Sequence, residues 1–557
     1  MANNKLNERE LDLRGTIADE LVAHTPGFSP ENARLLRRHG VFQQDNRDER
    51  HADRNSRQYE FMVRVRATGG KLTACQLLGL LDLTEQLGDG QLHVTSRQGI
   101  QLAGIEKTAL RPALRCISDL QLSTLATGGD LNCNVVCCPA PHGPGSVRDD
   151  LQATADELAT CLMPRAGDYD DIWLGNRPAV YRQSSGTNAT NDVISSIDGR
   201  ASNPHKFKIG LAIANDNCTD VYAQDLGLLA VTDNARVVGY NVLVGGNMRN
   251  YVSVAARSAT LARPLAYVAS DDLLSLVSSI IAVYREHGDR SDHNRARMRY
   301  LIQDWGLERF KRAVEDVFGR SLEPPRPVEV VGREDHLGWH RQNDREWFVG
   351  LHVENGHIAD GAQSKLKSAL RTIADRFSVR FRLTPQRNIL VCDVPSSDCC
   401  HVDALLARHH VRSVGELSNV RRYSMGCPGL PNCSAAITES QRLLDRIINE
   451  LESEVFRLGL AEEPFTLRIT GCPFGCTRSH LADIALVGRA ADPETGEDKY
   501  AIFLGGDRLG RRLNTLYRDL VPADQIISAL RGLLLDYRGQ RLAGETFGDF
   551  YVRNHTK

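Results

Sequence analysis

The hydrophobic positions between residues 59 and 102 change their period twice. Residues 59–66 alternate between hydrophobic and polar side chains, which is typical of a half-buried strand. A helical period follows over residues 73–87, and a second strand-like run covers residues 91–102. A strand, a helix and a returning strand in this order predict a β-α-β unit of the split, ferredoxin-like kind.

The same order of elements recurs in the second half of the chain. Residues 347–352 predict a strand, residues 363–376 a helix and residues 379–390 the returning strand. Short similarities accompany this repeat: a hydrophobic–Thr–x–(Arg/Gln)–(Gln/Arg) pattern at residues 94–98 and 383–387, and glycine turns at 244–247 and 504–507. We therefore predict an internal duplication, whose halves meet near residues 320–345, where the proline-rich run 324–327 supplies a stiff linker.

Two short turns each enclose proline and glycine between a pair of cysteines. They are Cys427-Pro-Gly-Leu-Pro-Asn-Cys433 and Cys472-Pro-Phe-Gly-Cys476. These intervening residues force a tight loop. A helical pattern follows the first turn, with hydrophobic residues at Ile437, Leu444, Ile447, Ile448, Leu451 and Val455. Strand-like runs at 466–470 and 483–488 flank the second turn, so both loops have rigid supports that can bring four sulfurs together.

The chemistry of these four cysteines has three candidate explanations. Four thiolates in a reducing compartment are the ligand set of a [4Fe–4S] cluster. Structural zinc is the second, although zinc loops usually separate their cysteines by two residues and neither turn does so. Two disulfides, or four unrelated buried thiols, are the third. The spacing favours the cluster and leaves the other two open.

Two of the chain's ten lysines stand one residue apart, at Lys206 and Lys208, in a chain with 58 arginines. Lysine where the chain otherwise uses arginine suggests a demand for a compact ammonium group, whose pKa shifts readily and which donates protons. Residues 205–212 predict a strand, which sends both ammonium groups to one face and Phe207 to the other. An edge strand with a solvated lysine face is the alternative.

Composition narrows the class of protein further. The 557 residues are enough for about two to four domains. A net charge of −2 with no basic tract argues against nucleic acid as a main partner. Fourteen cysteines without a signal peptide indicate a thiol-reduced, cytoplasmic protein. No run of eighteen apolar residues occurs, so we expect no membrane-spanning segment.

The surroundings of the cysteine turns carry a family resemblance. The C-x5-C and C-x3-C pairs stand within Met425-Gly-Cys-Pro and Thr470-Gly-Cys-Pro-Phe-Gly-Cys. In this setting they resemble the sulfite and nitrite reductases that carry sirohaem beside a [4Fe–4S] cluster. The strongest resemblance is to the hemoprotein (beta) subunits of assimilatory NADPH-sulfite reductase. Further similar stretches run nearly end to end, at residues 13–18, 39–45, 206–208, 241–246 and 547–550.

The resemblance implies an α+β fold with an internal duplication. Two ferredoxin-like half-domains and two mixed α/β domains that bind sirohaem and the cluster would surround a central cleft. The expected segments are an N-terminal arm at 1–57, half-domains at 58–125 and 340–405, a first sirohaem-binding domain at 126–325 and a second, cluster-bearing one at 406–557.

The resemblance also implies a reaction, the six-electron reduction of sulfite to sulfide in assimilatory sulfur metabolism. The cluster ligands would be Cys427, Cys433, Cys472 and Cys476. Cys476 would in addition be the axial ligand of the sirohaem iron. Arg64, Lys206 and Lys208 match positions around the bound anion, and Arg97 matches a cofactor-contacting arginine. A surface salt bridge is the alternative for both arginines.

The sequence contains no signature for binding a nucleotide. No G-x-G-x-x-G opens a helix, and no flavodoxin-like segment is present. A separate electron donor is therefore expected. The resemblance identifies it as a flavoprotein subunit that uses NADPH, FAD and FMN, or alternatively as ferredoxin.

Three residues depart from the family pattern. Cys133 stands where the family usually has a substrate-binding arginine, Ala103 where sulfite reducers often have histidine, and His205 where arginine is common. A missing guanidinium weakens the anion pocket, so sirohaem-dependent nitrite reduction is an alternative function. A non-catalytic metal-binding assembly subunit is a second. Cys133 also crowds with Cys137 and Cys138, where we predict small packing residues rather than a redox or metal site.

Overall fold

The computed structural model describes residues 13–45, 59–143, 145–164, 166–175, 202–250, 258–491 and 496–555. Residues 1–12 and 46–57 of the predicted N-terminal arm lie outside the described residues. The rest of that segment packs onto the body of the protein, with Ile17, Leu36 and Val41 fully buried. Among the described residues, none of the helices combines the length and apolar character that a membrane span requires.

The described residues form nineteen strands and fifteen helices. The strands are β1 (Val41–Asp45), β2 (Tyr59–Val65), β3 (Lys71–Thr73), β4 (Leu92–Val94), β5 (Ile100–Ile105), β6 (Ile209–Ala212), β7 (Leu226–Asp233), β8 (Arg236–Val244), β9 (Arg263–Ala269), β10 (Gly338–Arg341), β11 (Glu346–Leu351), β12 (His357–Ile358), β13 (Arg380–Leu383), β14 (Ile389–Pro395), β15 (Ser424–Gly426), β16 (Leu467–Thr470), β17 (Ile484–Ala491), β18 (Asp498–Leu504) and β19 (Thr515–Pro522). The helices are α1 (Ile17–Val22), α2 (Pro30–Arg38), α3 (Ala74–Leu87), α4 (Leu110–Asp119), α5 (Val147–Cys161), α6 (Gly167–Trp173), α7 (Leu273–His287), α8 (Met298–Trp305), α9 (Leu307–Phe318), α10 (Leu366–Arg376), α11 (Cys399–Arg408), α12 (Asn419–Arg422), α13 (Gln441–Arg457), α14 (Ile526–Gln540) and α15 (Phe547–His555).

Two five-stranded antiparallel sheets exchange a strand between the halves of the chain. Their strand orders are β1-β2-β5-β4-β12 and β10-β11-β14-β13-β3. β3 comes from the first half and pairs with β13, so that Leu72 lies opposite Phe381. β12 comes from the second half and pairs with β4, with Ile358 opposite Leu92. Each half thus completes the sheet of the other, and the predicted duplication is confirmed.

Two mixed sheets repeat a common topology. In the second half, β15, β16 and β17 run parallel, and β18 and β19 follow antiparallel. In the first half, β6 and β7 run parallel and β8 and β9 antiparallel, while residues 132–136 add parallel bridges to Phe207 and Gly210. Helix α7 covers the mixed sheet of the first half (β6–β9, the first mixed sheet). Helices α13 and α14 cover the mixed sheet of the second half (β15–β19). Each helix packs through a buried apolar face.

Each predicted returning strand is instead a hairpin, which corrects the sequence-based expectation. β4 and β5 are joined by residues 95–99, where Thr95 Oγ1 accepts a hydrogen bond from Gly99 N (3.0 Å) and Gln98 has φ +54°. β13 and β14 are joined in the same way, with Thr384 accepting from Asn388 N (3.0 Å). The hydroxyl of the shared threonine favours a local turn over a continuous ladder. Arg97 and Arg387 consequently lie on turns.

The helices confirm the periodicity with small shifts at their ends. Thr73 caps α3 in a reciprocal arrangement, since its hydroxyl accepts from Gln76 N (3.1 Å) and its own N–H donates to Gln76 Oε1 (3.0 Å). α13 begins at Gln441, so Leu444 to Val455 lie on its buried face as expected. Ile437 precedes this helix and is 38% exposed, so its predicted place on the helical face is wrong.

Candidate active site

The two cysteine turns pack directly against each other at two glycines. A Cβ on Gly471 would lie 3.1 Å from Gly429 Cα, and one on Gly429 would lie 2.6 Å from Ser440 N. Gly471 N donates a hydrogen bond to Cys427 Sγ (3.3 Å), and Gly471 O accepts from Ile437 N (2.7 Å), which holds Ile437 outside the helix. Only glycine permits so close an approach of two backbones. Gly429 and Gly471 therefore let the two cysteine turns lie side by side.

The four thiols interact with one another. Cys427 and Cys472 are buried, Cys433 is partly exposed and Cys476 is exposed. Burial, together with the neighbouring Cys476 and Cys433, raises the pKa of Cys427 to about 11. Burial and the other three thiols also raise the pKa of Cys472. Thiols that repel each other's negative charge are deprotonated together only around a bound cation, and this donor set suits iron.

Lys206 and Lys208 lie on one face of their segment. Phe207 between them is fully buried in the core of the first mixed sheet, while both lysines are partly exposed. The predicted alternation of faces is confirmed, although the regular strand begins only at Ile209. Burial, together with the positive charges of Lys206, Arg297 and Arg97, lowers the pKa of Lys208 to about 7. Burial also lowers the pKa of Lys206, although Cys476 and Cys133 oppose this.

Arg64 lies on β2 beside the cysteine turns. Its Nε and Nη2 donate to Gln101 Oε1 (3.1 and 2.8 Å), and its Nη1 donates to Thr127 O (3.1 Å). The guanidinium also stacks on Phe42, 4.6 Å from the ring centre. Burial lowers the pKa of Arg64, against the influence of Cys133, Cys476 and Cys433. The acceptors, the Gln101 amide and the Thr127 carbonyl, are neutral, so they do not cancel the positive charge of Arg64.

Arg97 fixes the first hairpin turn to the mixed sheet. Its Nη1 donates to Gln224 Oε1 (2.8 Å), and its Nη2 donates to the carbonyls of Asn134 (2.5 Å) and Ile209 (2.8 Å). These partners are an amide and two backbone carbonyls, so the surface salt bridge that was the alternative for Arg97 is not formed with them. Arg97 Nε is buried and has no hydrogen-bond partner among the described residues.

The turn that carries Arg97 also contacts the second cysteine turn. Ser96 Oγ donates to Cys476 O (3.3 Å), and Arg478 Nη1 donates to Ser96 O (3.2 Å). Arg478 and Arg468 both form ion pairs with the buried Asp220 of the first half. The hairpin of one half and the cysteine turn of the other are therefore held in fixed relation.

Sequence reasoning missed two buried residues next to the lysines. Asp225 Oδ2 accepts from Lys208 N (2.9 Å) and from Arg297 Nη2 (2.8 Å). Asp225 directly precedes β7, and Arg297 directly precedes α8. No local pattern marks either residue, because only the packing of α8 near β6 and β7 brings them together.

The three departures from the family pattern lie in different places. Burial and the positive charges of Arg297 and Lys206 lower the pKa of His205 below its ordinary range, so it adds no third cation to the lysine pair. Cys133 is buried, and its thiol influences the pKa of Arg64 and Arg97. Ala103 lies on β5, where its carbonyl accepts from Asp89 N (3.0 Å).

The neighbouring cysteines do not share a site with Cys133. Cys137 packs in the apolar core of the first mixed sheet, as predicted for a small packing residue. Cys138 also contacts polar groups, because its Sγ lies 3.0 Å from Asp216 Oδ2. The packing prediction is therefore incomplete for Cys138.

A cavity of about 380 Å³ lies between residues 333–336 of the linker and the second half of the chain. Arg387 of the second hairpin turn and Arg468 of β16 border it. The four cysteines, Arg64 and the lysine pair are not among the residues that border this cavity. This polar cavity is therefore separate from the four thiols and from the lysine pair.

The donor groups around the thiols fit an anionic macrocycle beside an iron–sulfur cluster. Sirohaem carries carboxylates around its rim, and Arg97 Nε is a buried donor with no described partner. Lys206 and Lys208 add positive charge in the same region. The four thiols of the two turns complete the ligand set of a cluster. The residues present therefore fit both groups.

Fold and site together define an iron–sulfur oxidoreductase in which the second half of the chain supplies four thiols and the first half supplies the neighbouring cations. The family model described as the nitrite and sulphite reductase 4Fe-4S domain matches residues 155–322 and 418–546. The model of the nitrite/sulfite reductase ferredoxin-like half domain matches residues 54–117 and 340–409. The chain belongs to the nitrite and sulfite reductase family, whose cofactors are sirohaem and a [4Fe–4S] cluster.

Known relatives match almost the whole chain. The sulfite reductase [ferredoxin] of Synechococcus elongatus is 36% identical over 560 residues, covering 98% of this chain and 88% of that protein. The sulfite reductase [NADPH] hemoprotein beta-component of Staphylococcus saprophyticus is 34% identical, covering 97% and 93%. The corresponding protein of Acidithiobacillus ferrooxidans is 35% identical, covering 97% and 94%. The structure of Mycobacterium tuberculosis NirA has the same fold, with a TM-score of 0.76 at 21% identity over 98% and 96% of the two chains.

Proposed function

We propose that this chain is the hemoprotein subunit of an assimilatory sulfite reductase, which reduces sulfite to sulfide. The position of Cys476 carries the proposal. Its thiol helps to raise the pKa of the neighbouring thiols Cys427 and Cys472. The same thiol opposes the lowering of the pKa of Lys206 and Arg64 by burial. A single sulfur at that position can belong both to a cluster and to a neighbouring anion pocket. The names of the relatives, which are sulfite reductases at 34–36% identity, support the choice of anion.

The cofactors would be held by residues of both halves. Cys427, Cys433, Cys472 and Cys476 would hold the [4Fe–4S] cluster, and Cys476 would also hold sirohaem. Arg97, on a turn that contacts the Cys476 backbone through Ser96, would bind a rim carboxylate with its unpaired Nε. When bound, the two groups supply the electrons for reducing the anion.

The side chains of the cleft would supply charge and protons. Arg64, fixed by Gln101 and Thr127, holds its guanidinium in place without a carboxylate among these partners and can therefore neutralise an oxyanion. Lys206 contributes a second positive charge. Lys208 Nζ, whose pKa is lowered to about 7, would donate protons to substrate oxygens that leave as water. Asp225 fixes the backbone of Lys208 through its N–H and thereby sets the position of the amine.

Rates on both anions test the choice of substrate. With a strong artificial reductant, the purified holoenzyme is expected to reduce sulfite with a higher kcat/KM than nitrite, and to release sulfide. A higher kcat/KM for nitrite would favour the alternative function on the same scaffold. Purified holoenzyme that reduces neither anion would support a non-catalytic assembly subunit.

Restoring the missing guanidinium is expected to tighten anion binding. Cys133→Arg would place a fixed positive charge beside Arg64, and a charged hydrogen bond of about 1.5–3 kcal/mol corresponds to a KM for sulfite lower by about 10- to 150-fold. Steady-state kinetics measure this change. Cys161→Arg adds the same charge on α5, where Cys161 is only partly buried, and should leave KM unchanged. Equal KM values for Cys133→Arg and the unmodified enzyme would place Cys133 outside the anion pocket.

The protonation of Lys208 is expected to set the alkaline limit of activity. Its pKa lies below the ordinary value of 10.5, so the ammonium form is lost as pH rises through the shifted value. Bound carboxylates raise the pKa again, so kcat/KM should decline with a midpoint between 7 and 10.5. The pH profile of Lys208→Arg should lack this decline, because guanidinium stays protonated. The same midpoint in both enzymes would assign the titration to another group.

The electron donor is expected to be a separate flavoprotein subunit, with ferredoxin as the alternative. Relatives of both kinds match the chain at similar identity, 36% for the ferredoxin type and 34% for the NADPH type. Purified holoenzyme should not oxidise NADPH alone and should do so once the flavoprotein subunit from the same host is added. Sulfite reduction with reduced ferredoxin but not with that subunit would reverse the assignment.

A further inference from the structure

Four potential metal ligands meet at a place apart from the cysteine turns. Cys138, Asp216, Cys218 and His336 each contribute one ligand atom, and these atoms all lie within 4.8 Å of one another. All four side chains are buried. Cys138 Sγ lies 3.0 Å from Asp216 Oδ2 and 3.5 Å from His336 Nε2, and these two atoms are 3.1 Å apart.

These distances are close to the edges of a tetrahedral zinc site. Zinc bonds of about 2.3 Å to sulfur and about 2.0–2.2 Å to nitrogen or oxygen give ligand-to-ligand edges of about 3.3–3.6 Å. The separations of His336 from Cys138 and from Asp216 are within about 0.3 Å of these edges, and the Cys138–Asp216 separation is shorter by about 0.6 Å. A central ion would therefore move these side chains only slightly outward.

Outer contacts orient the ligands in the way that metal sites require. Asp216 Oδ1 accepts from Cys218 N (3.1 Å) and Glu334 N (3.2 Å), which leaves Oδ2 facing the other ligands. His336 Nε2 faces the other ligands, and its Nδ1 lies on the side of the Glu334 carboxylate, 3.6 Å away. A carboxylate behind a histidine fixes the tautomer that presents Nε2 to a metal. A Cβ on Gly350 would lie 1.8 Å from His336 O, so β11 is built to pass closely behind this residue.

The charges of the group also suit a divalent ion. Two thiolates and one carboxylate carry three negative charges, of which a divalent cation neutralises two. Arg148 Nη2 lies 3.4 Å from Asp216 Oδ2 and neutralises the remaining buried charge, while the Glu334 carboxylate, 3.8 Å from Arg148, is half-exposed and solvated. Buried charges that balance in this way avoid a large desolvation cost.

We propose that Cys138, Asp216, Cys218 and His336 bind one zinc ion in a closed structural site. Two sulfurs, one imidazole and one carboxylate suit zinc better than the oxygen-binding cations magnesium and calcium. Cys138, Asp216 and Cys218 belong to the first half of the chain, whereas His336 lies just before β10 of the second. The ion therefore joins the two halves independently of the cluster. His336 and Glu334 border the 380 Å³ cavity, which gives the ion a route in from the surface.

Zinc analysis of the holoenzyme tests the proposal. The protein is purified with its iron cluster filled, incubated with zinc sulfate and dialysed against EDTA. Elemental analysis should give about one zinc per chain, and zinc X-ray absorption should give two sulfurs at about 2.3 Å and two lighter atoms at about 2.0–2.2 Å. Four sulfurs around zinc would assign the ion to the cysteine turns and overturn the proposal. Absence of zinc would leave a metal-free network of hydrogen bonds and overturn it as well.

Variants locate the ion on the chain. Cys218→Ser should lose most of the zinc and lower the Tm, while the visible absorption of the cofactors stays the same. Cys392→Ser is the matched control, because Cys392 is equally buried in the same apolar cluster and is not one of the four ligands. Full zinc retention in Cys218→Ser would contradict the assignment. If Cys218→Ser does not fold, zinc X-ray absorption of the unmodified holoenzyme still distinguishes a two-sulfur site at these residues from a four-sulfur site at the cysteine turns.

Discussion

Replacing Cys476 with serine is expected to lower kcat for sulfite by at least about a thousandfold, a barrier increase of about 4 kcal/mol. Cys476 influences the pKa of both Cys472 and Lys206. Under the proposed function, one substitution would therefore remove a cluster ligand and the contact to sirohaem. A serine hydroxyl remains protonated and is a poor ligand for iron. We also expect a loss of iron and of visible absorption, measured on the purified variant.

The matched control for this variant is Cys400→Ser. Cys400 is likewise exposed but lies on α11, away from the cysteine turns. It should retain the iron content, the spectrum and the rate of the unmodified protein. A Cys476→Ser protein with unchanged spectrum and rate would remove Cys476 from the site altogether.

Replacing Lys208 with methionine is expected to slow turnover by about 10²- to 10⁴-fold, which is the range for loss of a general acid. The visible spectrum and iron content should stay the same, because the amine contributes no cluster ligand. Methionine preserves the length and the apolar stem of the side chain. Stopped-flow reduction and sulfide release measure the rate, and the spectrum shows that the cofactors remain bound.

Two further variants separate charge from proton donation. Lys208→Arg keeps the positive charge but does not release a proton, so it should recover binding of the anion more than kcat. Lys365→Met removes an exposed lysine before α10 and should leave both kcat and the KM for sulfite unchanged. Equal turnover for Lys208→Met and the unmodified enzyme would exclude this lysine from the mechanism.

The sequence predicted the elements of the fold better than the way in which they are joined. Alternation and helical period located β2, α3, β11 and α10 within a few residues. The two hairpins were missed because a threonine turn inside a hydrophobic run does not interrupt the period. The exchange of β3 and β12 between the sheets was also not predictable, since two- and three-residue strands leave no periodic signal.

In the site, too, residues marked by local sequence were predicted, and residues placed by contacts between distant segments were not. The cysteine turns were evident from spacing, and Lys206 and Lys208 from their rarity. Asp225 and Arg297 are set by the packing of α8 near β6 and β7, which the sequence does not reveal. His336 joins Cys138 and Asp216 from the far side of the linker, so no local spacing predicts that group either.

Under the proposed function, the thiols of two separate turns would hold an iron cluster, and Cys476 would bring it next to the iron of sirohaem. Mössbauer spectroscopy of ⁵⁷Fe-labelled protein tests this most directly. We expect about five iron atoms per chain, four from the cluster and one from sirohaem, with magnetic coupling between the two centres. Folded protein without iron, or two iron centres that are magnetically independent, would contradict the account.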